Sequence, residues 1–229
     1  MKSLVIIPAY NEQASIIKVV HKLKSDCPEV DYVVINDCST DNTLQILKDN
    51  NINYVNLPLN LGIGGGVQTG YKYARENGYD IAIQIDGDGQ HDTKYLKKVI
   101  QPIENGNADI VIGSRFINKE GFQSSGMRRT GIKFLSGLIK VVTGTKVLDV
   151  TSGFRAVNRK YIEQYAENYP VDYPEPEAIV MASLNGAKIV EVPVVMKERE
   201  NGTSSIYAWK SIYYMIKVSL AIILRKLAE

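Results

Sequence analysis

The sequence has few of the residues that mark disulfide scaffolds, zinc domains or membrane-spanning chains. Its two cysteines, Cys27 and Cys38, cannot build a disulfide framework or a four-ligand zinc site, which suits a reducing compartment. The apolar N-terminal run turns polar within the first twelve residues, so we expect no signal peptide. The most apolar C-terminal stretch, residues 211–224, includes Lys217 and is shorter than the roughly 20 residues that span a bilayer. We therefore expect no transmembrane segment.

Net charge is also small, but it is unevenly distributed. The 229-residue chain carries a formal charge of +2, whereas the segment from Arg115 to Lys160 holds ten Lys or Arg residues against two acidic residues. The remainder is therefore acidic, and the basic middle should attract an anionic partner. Apolar residues make up 45% and charged residues 23%, which excludes disordered, collagen-like and coiled-coil classes and fits one large or two small globular domains.

Short β-branched apolar runs alternate with longer amphipathic runs along most of the chain. The pattern predicts strands at residues 4–7, 32–35, 54–57, 81–85, 110–112 and 188–195. It predicts helices at residues 12–24, 41–48, 66–77, 93–104, 130–143, 159–168, 175–186 and 205–228. This alternation indicates an α/β fold with a Rossmann-like, mostly parallel sheet flanked by helices. In such sheets the ligand site lies beyond the carboxyl ends of the strands.

The Ser-, Gly- and Arg-rich segment 114–131 breaks the alternation, and we interpret it as a loop that forms a lid. Asp41 and Asp92 stand where helix N-caps are expected.

Two polar clusters follow the first two predicted strands. Pro8 ends the first strand and Glu12 opens a helix, so the Glu12 carboxylate could accept hydrogen bonds from ribose hydroxyls. A proline turn with a glutamate at a helix start is the structural alternative. After the second strand, Asp37 could accept the N–H of a base, although Asx and Ser/Thr residues also favour turns.

The most specific cluster follows the fourth strand directly and reads Asp-Gly-Asp-Gly-Gln-His-Asp over residues 86–92. Asp86 and Asp88 are separated by one glycine on an extended segment, so both carboxylates can reach one hard cation. Mg²⁺ or Mn²⁺ held in this way keeps open positions for a substrate diphosphate. An acidic surface turn is the alternative. An EF-hand is disfavoured because no glutamate follows at the required position.

Arginines of the basic middle are candidate phosphate ligands, because a guanidinium offers a fixed fork of donors. Arg115 follows the fifth strand, and the pair Arg128 and Arg129 lies in the predicted loop. Solvated surface arginines are the alternative interpretation for each of them. The two histidines, His21 and His91, do not form a catalytic histidine arrangement.

Six motifs in order resemble glycosyltransferase family 2, and within it the polyprenyl-phosphate sugar synthases of the dolichyl-phosphate mannose synthase type. They are Pro-Ala-Tyr-Asn-Glu (8–12), Asn-Asp-Cys-Ser-Thr-Asp (36–41), Asp-Gly-Asp-Gly-Gln-His-Asp (86–92), Gly-Ser-Arg-Phe (113–116), Thr-Ser-Gly-Phe-Arg (151–155) and Arg-Glu-Asn-Gly-Thr-Ser (199–204). A segment at 173–177, Tyr-Pro-Glu-Pro-Glu, resembles a bacterial cell-surface polysaccharide subgroup. The resemblance implies a GT-A fold, a nucleotide-sugar donor, a divalent cation and inversion at the anomeric carbon.

The same resemblance implies roles for individual residues. Contacts to the nucleoside would come from Pro8, Tyr10, Glu12 and Asp37. Contacts to Mg²⁺ or Mn²⁺ and the diphosphate would come from Asp86, Asp88 and Gln90. Contacts to phosphates would come from Arg115, Arg129 and Arg199, and the catalytic set would be Asp88, Arg115 and Arg129. Asn36 and Ser205 depart from the mannose synthases, which favours a UDP-sugar over GDP-mannose.

The expected acceptor is polyprenyl phosphate. A phosphate monoester has a second pKa of about 6, so it is already a dianionic nucleophile near neutral pH and needs no strong base. A glycan hydroxyl acceptor would need a carboxylate base, which Glu175 or Glu177 could supply. A non-catalytic subunit that binds a nucleotide-sugar is a third alternative.

The C-terminal segment is expected to be amphipathic. At about 100° per residue, Lys210, Lys217 and Arg225 fall within roughly 80° of one another beside aromatic and aliphatic positions. Such a helix suits a membrane interface, with an ordinary core-packing helix as the alternative. We therefore expect a GT-A domain over residues 1–204 and an interfacial helix over 205–229, attached peripherally to the cytoplasmic face of the cell membrane. A small membrane protein is a candidate partner, and no nucleic acid is expected.

Overall fold

The computed structural model describes residues 1–123, 126–198 and 208–227, with side chains in the last helix from 215 to 226. Seven strands form one sheet in the order β3-β2-β1-β4-β6-β5-β7. The strands are β1 (Ser3–Ala9), β2 (Asp31–Asn36), β3 (Tyr54–Asn56), β4 (Ile81–Gln84), β5 (Ile110–Ser114), β6 (Arg155–Asn158) and β7 (Ile189–Pro193). All of these strands run parallel except β6, which pairs antiparallel with both β4 and β5.

Helices cover both faces of this sheet. They are α1 (Ile16–Asp26), α2 (Thr43–Asp49), α3 (Gly62–Glu76), α4 (Leu96–Glu104), α5 (Gly126–Thr143), α6 (Arg159–Glu167), α7 (Pro174–Leu184) and α8 (Ala208–Leu227), with a short 3-10 turn at Thr93–Tyr95 before α4. This arrangement confirms the predicted α/β fold with a mostly parallel, helix-flanked sheet.

The core has two layers because successive strand residues point to opposite faces of the sheet. In β1, Leu4 and Ile6 join one layer while Val5 and Ile7 join the other, and all four are fully buried. The Leu4 layer lies under α3, α5, α6, α7 and α8, and the Val5 layer lies under α1 and α4.

The last helix belongs to this fold through one of its faces. Val218 and Ile222 of α8 are buried in the Leu4 layer, where α8 packs against α5 and α7. Within the described part of the chain, no helix combines the length and the apolar character needed to cross a membrane.

Four local predictions differ from the structure. The short strand β6 was not predicted, and α3 begins at Gly62 rather than at residue 66. The helix predicted from residue 12 begins at Ile16. The loop expected over 114–131 is shorter, because residues 126–131 form the first turns of α5. This Gly- and Arg-containing segment is helical because it extends a helix that Ile132, Leu135 and Ile139 anchor to the core.

Candidate active site

The loops that follow the parallel strands meet at one edge of the sheet. In the strand order β2-β1-β4, the segments after Asn36, Ala9 and Gln84 are neighbours, and β6 enters from the same edge at Arg155. The first three predicted clusters are therefore brought together by the topology itself.

Hydrogen bonds join the loops after β1 and β2. Asn11 has a positive φ of 57°, a conformation that asparagine tolerates, and its Oδ1 accepts the Thr40 N–H at 2.8 Å. The Glu12 N–H donates to Thr43 Oγ1 at 2.9 Å. Tyr10, the predicted nucleoside contact, is 48% exposed at this edge. The two loops thus form one surface.

The acidic loop after β4 lies against this surface. Gly87 sits so close that a Cβ on it would be 3.0 Å from the Pro8 carbonyl oxygen and 3.5 Å from Glu12 Cγ. The Glu12 carboxylate also accepts a 2.6 Å hydrogen bond from the Ser15 hydroxyl. Glu12 and the Asp86–Asp88 loop are therefore adjacent, as the sequence predicts.

Asp37 is buried, and its carboxylate meets the start of α3. Oδ1 accepts the Leu61 N–H at 2.7 Å, so the carboxylate faces the positive end of the helix. Burial raises the pKa of Asp37, while hydrogen bonds from the Leu61 and Gly62 amides oppose the increase. Asp37 thus connects the second loop to α3, and its predicted contact to a base stays a prediction.

Position 64, in the first turn of α3, requires glycine because another backbone segment lies very close to it. The Gly64 N–H donates to the Val171 carbonyl oxygen at 3.2 Å, and a Cβ there would lie 2.2 Å from the Pro170 carbonyl oxygen. The glycine run therefore lets α3 begin against the segment before α7, beside the Asp37 carboxylate.

The acidic loop presents two half-exposed carboxylates. Asp88 Oδ1 accepts the Gln90 N–H at 3.0 Å across a turn in which Gly89 has a φ of 80°. The Gln90 amide donates to the Lys197 carbonyl oxygen at 3.2 Å. The Asp86 side chain is 35% exposed. The loop is thus shaped by its own backbone and by the strand-like segment near Lys197.

The donor set of this loop fits a hard cation. Asp86, Asp88 and the Gln90 amide supply oxygen ligands, which Mg²⁺ and Mn²⁺ prefer, and a diphosphate with water would complete the coordination. Among the described residues, no group of three or more His, Cys, Asp or Glu side chains forms a metal site of protein ligands alone. These residues could therefore form an open site, in which the substrate completes the coordination of the cation.

Two residues outside the predicted set flank Asp86. The Asp86 N–H donates to His91 Nδ1 at 3.0 Å, and a Cβ on Gly153 would lie 2.9 Å from Asp86 Oδ1. Sequence reasoning set His91 aside because the two histidines do not form a catalytic arrangement, and its position three residues after Asp88 was the available signal.

Arg115 is held in a buried ion pair. It is 6% exposed, and its Nε and Nη2 donate to the two carboxylate oxygens of Asp149 at 2.7 Å. Glu191 fixes the backbone at Asp149, because its carboxylate accepts hydrogen bonds from the Leu148 and Asp149 N–H groups at 2.8 and 2.9 Å. This geometry does not support the predicted phosphate contact of Arg115, because the guanidinium joins β5 to the loop before β6.

The remaining predicted arginines differ in position. Arg129 is exposed in the first turn of α5, beside Arg128, whose positive charge acts on Glu175. Arg199 lies outside the described residues. Arg155 is buried and donates to the Ser152 carbonyl oxygen at 2.7 Å, so it anchors the turn that carries Gly153.

The two glutamates at the start of α7 have raised pKa values. Burial raises the pKa of Glu175, with Arg155 opposing and the Asp86 charge adding to the increase. Burial also raises the pKa of Glu177, against the charge of Arg225. Glu175 thus lies within electrostatic range of the acidic loop, whereas the charges that act on Glu177 are those of Arg225 and Lys217 in α8 and of Asp172 before α7.

Solved structures with the same architecture bind nucleotide-sugars. Glucosyl-3-phosphoglycerate synthase from Mycobacterium tuberculosis, solved with Mn²⁺, UDP-glucose and phosphoglyceric acid, aligns with a TM-score of 0.72 over 96% of this chain and 79% of its own, at 20% identity. TarS of S. aureus with UDP-GlcNAc aligns with a TM-score of 0.66 over 98% and 67%, also at 20% identity. The fold is therefore GT-A.

The chain belongs to glycosyltransferase family 2. The model of that family, described as "Glycosyl transferase family 2", matches residues 4–166, which include the loops after β1, β2 and β4. The chain is accordingly a glycosyltransferase.

Its relatives match along almost the whole chain. It is 32% identical to the UDP-N-acetylglucosamine--dolichyl-phosphate N-acetylglucosaminyltransferase of Methanococcus voltae, over 96% of both chains. It is 29% identical to the undecaprenyl-phosphate mannosyltransferase of Micrococcus luteus, over 90% of this chain and 88% of the relative. It is 28% identical to the polyprenol monophosphomannose synthase of Mycolicibacterium smegmatis, over 95% and 86%.

Proposed function

We propose that this glycosyltransferase moves a sugar from a nucleotide-sugar to polyprenyl phosphate, with inversion at the anomeric carbon. The observation that carries the proposal is the match, over 86–96% of their lengths, to three relatives named for polyprenyl or dolichyl phosphate products. A UDP-sugar is the favoured donor, because the 32% identical relative is named for UDP-N-acetylglucosamine. GDP-mannose is the alternative, since the other two relatives are named for mannose.

The reaction is a single displacement. An oxygen of the lipid phosphate dianion forms a bond to the anomeric carbon, and the bond from that carbon to the nucleoside diphosphate breaks with its electron pair on the leaving diphosphate. One displacement from the opposite side inverts the configuration. Because the nucleophile is already ionised near neutral pH, the protein has to position two anionic partners and offset their charge.

The residues at the sheet edge have matching roles in this proposal. Pro8, Tyr10, Glu12 and Asp37 would surround the nucleoside, Asp86, Asp88 and Gln90 would hold Mg²⁺ or Mn²⁺, and Arg129 and Arg199 would contact phosphates. Arg115 holds the Asp149 turn in place. When bound, the cation would neutralise charge on the leaving diphosphate.

A glycan hydroxyl acceptor is the second candidate, and one observation favours it. Burial raises the pKa of Glu175, which lies within electrostatic range of Asp86. A carboxylate with a raised pKa is suited to act as a general base toward a hydroxyl group.

The decisive experiment supplies Mn²⁺, a panel of UDP- and GDP-sugars and, in parallel reactions, either a short-chain polyprenyl phosphate or a glycan acceptor. The proposal expects a lipid-linked phosphodiester that mild acid cleaves, whereas a glycan acceptor would give a glycoside that mild acid leaves intact. Product only with a glycan acceptor would overturn the lipid phosphate assignment.

Asp88→Asn tests the carboxylate within the same assay. We expect kcat/KM to fall about 100-fold or more, because a preorganised charge at the leaving group is lost, while the melting temperature changes little. Asp49→Asn removes an exposed carboxylate from α2 and should transfer at the rate of the unsubstituted protein. Equal rates for both variants would remove Asp88 from the site.

We also propose that α5 and α8 attach the protein to the cytoplasmic membrane face. Met127, Phe134 and Val141 of α5 are exposed and recur every seven residues, so they lie along one line of the helix. Lys133 and Lys140 are exposed directly beside them. Exposed aliphatic residues next to lysines suit the interface of an anionic membrane.

The neighbouring helix α8 has a comparable stripe. Ile216, Leu220, Ile223 and Leu224 are 42–62% exposed, while Val218 and Ile222 of the same helix are buried. In this proposal residues 1–204 form the catalytic domain and residues 205–229 its membrane-facing helix. A small membrane protein that covers the same surface is the competing occupant.

A further inference from the structure

His91 is a buried neighbour of the acidic loop. It is 7% exposed, and its Nδ1 accepts the Asp86 N–H at 3.0 Å. Because a ring nitrogen that accepts a hydrogen bond must carry a lone pair, the neutral imidazole carries its proton on Nε2.

That second nitrogen faces the Asp86 side chain. His91 Nε2 lies 3.7 Å from Asp86 Oδ2, which is longer than a hydrogen bond but close enough for electrostatic attraction between the N–H dipole and the carboxylate. One imidazole therefore contacts both the backbone and the carboxylate of the same aspartate.

The ring itself is fixed from two directions. It stacks on Phe154, which is fully buried, with centroids 5.2 Å apart and an interplanar angle of 26°. The His91 backbone pairs with Met196 in an antiparallel bridge. On the other side of Asp86, the Gly153 backbone leaves no room for a side chain. Asp86 is thus enclosed between two immobilised groups.

We infer that His91 is a positioning residue that orients the Asp86 carboxylate toward the cation. The inference rests on the proposed function, since it assigns Asp86 to that cation. A carboxylate that is already held in one conformation loses less side-chain freedom when a cation binds than a mobile one does. The affinity of the site for the cation is therefore higher.

Two substitutions at position 91 distinguish an effect on the orientation of Asp86 from an effect on the packing of the imidazole ring. His91→Phe keeps the stacked ring on Phe154 but removes both nitrogens. His91→Asn loses the ring but places an amide oxygen where Nδ1 accepts the Asp86 N–H. His21→Asn and His21→Phe are the matched controls, because His21 is exposed on α1.

Mn²⁺ affinity, measured by electron paramagnetic resonance of the free ion with and without UDP, is the main readout. We expect His91→Phe to weaken Mn²⁺ binding about 10- to 100-fold. We expect His91→Asn to recover part of that loss, because it restores the acceptor for the Asp86 N–H but not the N–H beside the carboxylate, and we expect the His21 variants to bind normally. Normal Mn²⁺ binding by His91→Phe, or equal losses in both His91 variants, would overturn the inference.

Two further results separate this inference from the proposed function. If the unsubstituted protein binds Mn²⁺ and Asp88→Asn does not, the cation site stands and only the His91 result decides the inference. If the unsubstituted protein binds no Mn²⁺ but still transfers sugar to polyprenyl phosphate, the inference falls while the proposed transfer stands. Independently of any variant, the ¹⁵N spectrum of the histidines should show His91 as the Nε2–H tautomer, and an Nδ1–H tautomer would overturn the inference even if the substituted proteins do not fold.

Discussion

Gly153 lies so close to the Asp86 carboxylate that a larger residue could be accommodated only if the carboxylate moved. A Cβ would be 2.9 Å from Asp86 Oδ1 and 3.1 Å from Gln84 Nε2. We therefore expect Gly153→Ala to turn the carboxylate away and to lower kcat/KM about 10- to 100-fold, since displacements of about 1 Å have effects of that size. Transfer rates and thermal unfolding should be measured together.

Gly137 provides the control for this substitution. It lies inside α5, and a Cβ there would meet nothing within 4 Å. Gly137→Ala should raise the free energy of unfolding by about 0.5–1 kcal/mol, because alanine favours a helix interior. A Gly153→Ala protein that transfers sugar at the normal rate would contradict the close packing described for Asp86.

At the same scale, the sequence predicts which residues gather at the sheet edge better than it predicts what each one contacts. Asp86, Asp88 and Glu12 are neighbours as expected, because their loops follow adjacent parallel strands. The ion pair of Arg115 was not predictable, since Asp149 is 34 residues away and reaches it only through the antiparallel entry of β6.

Asp26 at the end of α1 connects that helix to the turn before α4. Lys22 donates to Asp26 at 2.6 Å and lies 3.3 Å from Asp92, and the Thr93 hydroxyl also donates to Asp26. The hydrogen bond from Lys22, followed by that from Thr93, holds the pKa of Asp26 below its ordinary value. The ionised carboxylate therefore stabilises the fold at neutral pH, and this contribution is lost as the pH falls through the lowered pKa.

Asp26→Asn should accordingly lower the free energy of unfolding by about 1 kcal/mol at pH 7. The expected effect is small because Lys22 is partly exposed, so that solvent screens the ion pair. The difference from the unsubstituted protein should shrink at about pH 3, because the unfolded chain takes up a proton in acid that the native ion pair resists. Denaturant unfolding at the two pH values measures both quantities. The exposed Asp49→Asn control should change by less than about 0.5 kcal/mol at either pH, and an Asp26→Asn effect that grows at low pH would be incompatible with this ion pair.

Among whole elements, segments with a regular apolar pattern were predictable, whereas β6 and the glycine-rich start of α3 were not. The helices α4 and α6 follow their patterns because each buries one regular face, and the strands β1 and β2 do so because each is a continuous apolar run buried on both faces of the sheet. The four residues of β6 carry too little pattern, and they become a strand only because β4 and β5 pair with them on both sides. The start of α3 contains four glycines within residues 62–66, and only the structure shows that Gly64 packs against residues 170–171 there.

Across the whole molecule, the acidic candidate site and the exposed apolar stripes lie on different elements. The carboxylates of the candidate site lie on loops at the carboxyl edge of the sheet, whereas the exposed apolar stripes belong to α5 and α8. The first turn of α5 carries both Arg129 and Met127, so this helix extends from the phosphate-binding candidates to the apolar stripe. A lipid phosphate acceptor needs this combination, because its head group reacts while its chain stays in the membrane.

Binding to lipid vesicles tests this arrangement. The protein should float with vesicles that contain phosphatidylglycerol and phosphatidylcholine, and it should bind pure phosphatidylcholine more weakly, because the lysines beside the stripe then lose their anionic partner. Adding salt should weaken binding to the anionic vesicles for the same reason. The double variant Phe134→Ser with Leu220→Ser removes an exposed apolar side chain from each helix and should reduce vesicle binding at least about tenfold.

Leu59→Ser is the control for vesicle binding, since Leu59 is 68% exposed but lies in the loop between β3 and α3. It should bind vesicles normally if the α5 and α8 stripes are the contact surface. Equal losses for Leu59→Ser and the double variant would mean that exposed apolar area in general, not these helices, drives binding. A protein that sediments with cell membranes but ignores protein-free anionic vesicles would instead require a membrane protein on this surface, because lipid charge and exposed aliphatic area would then be insufficient to hold it.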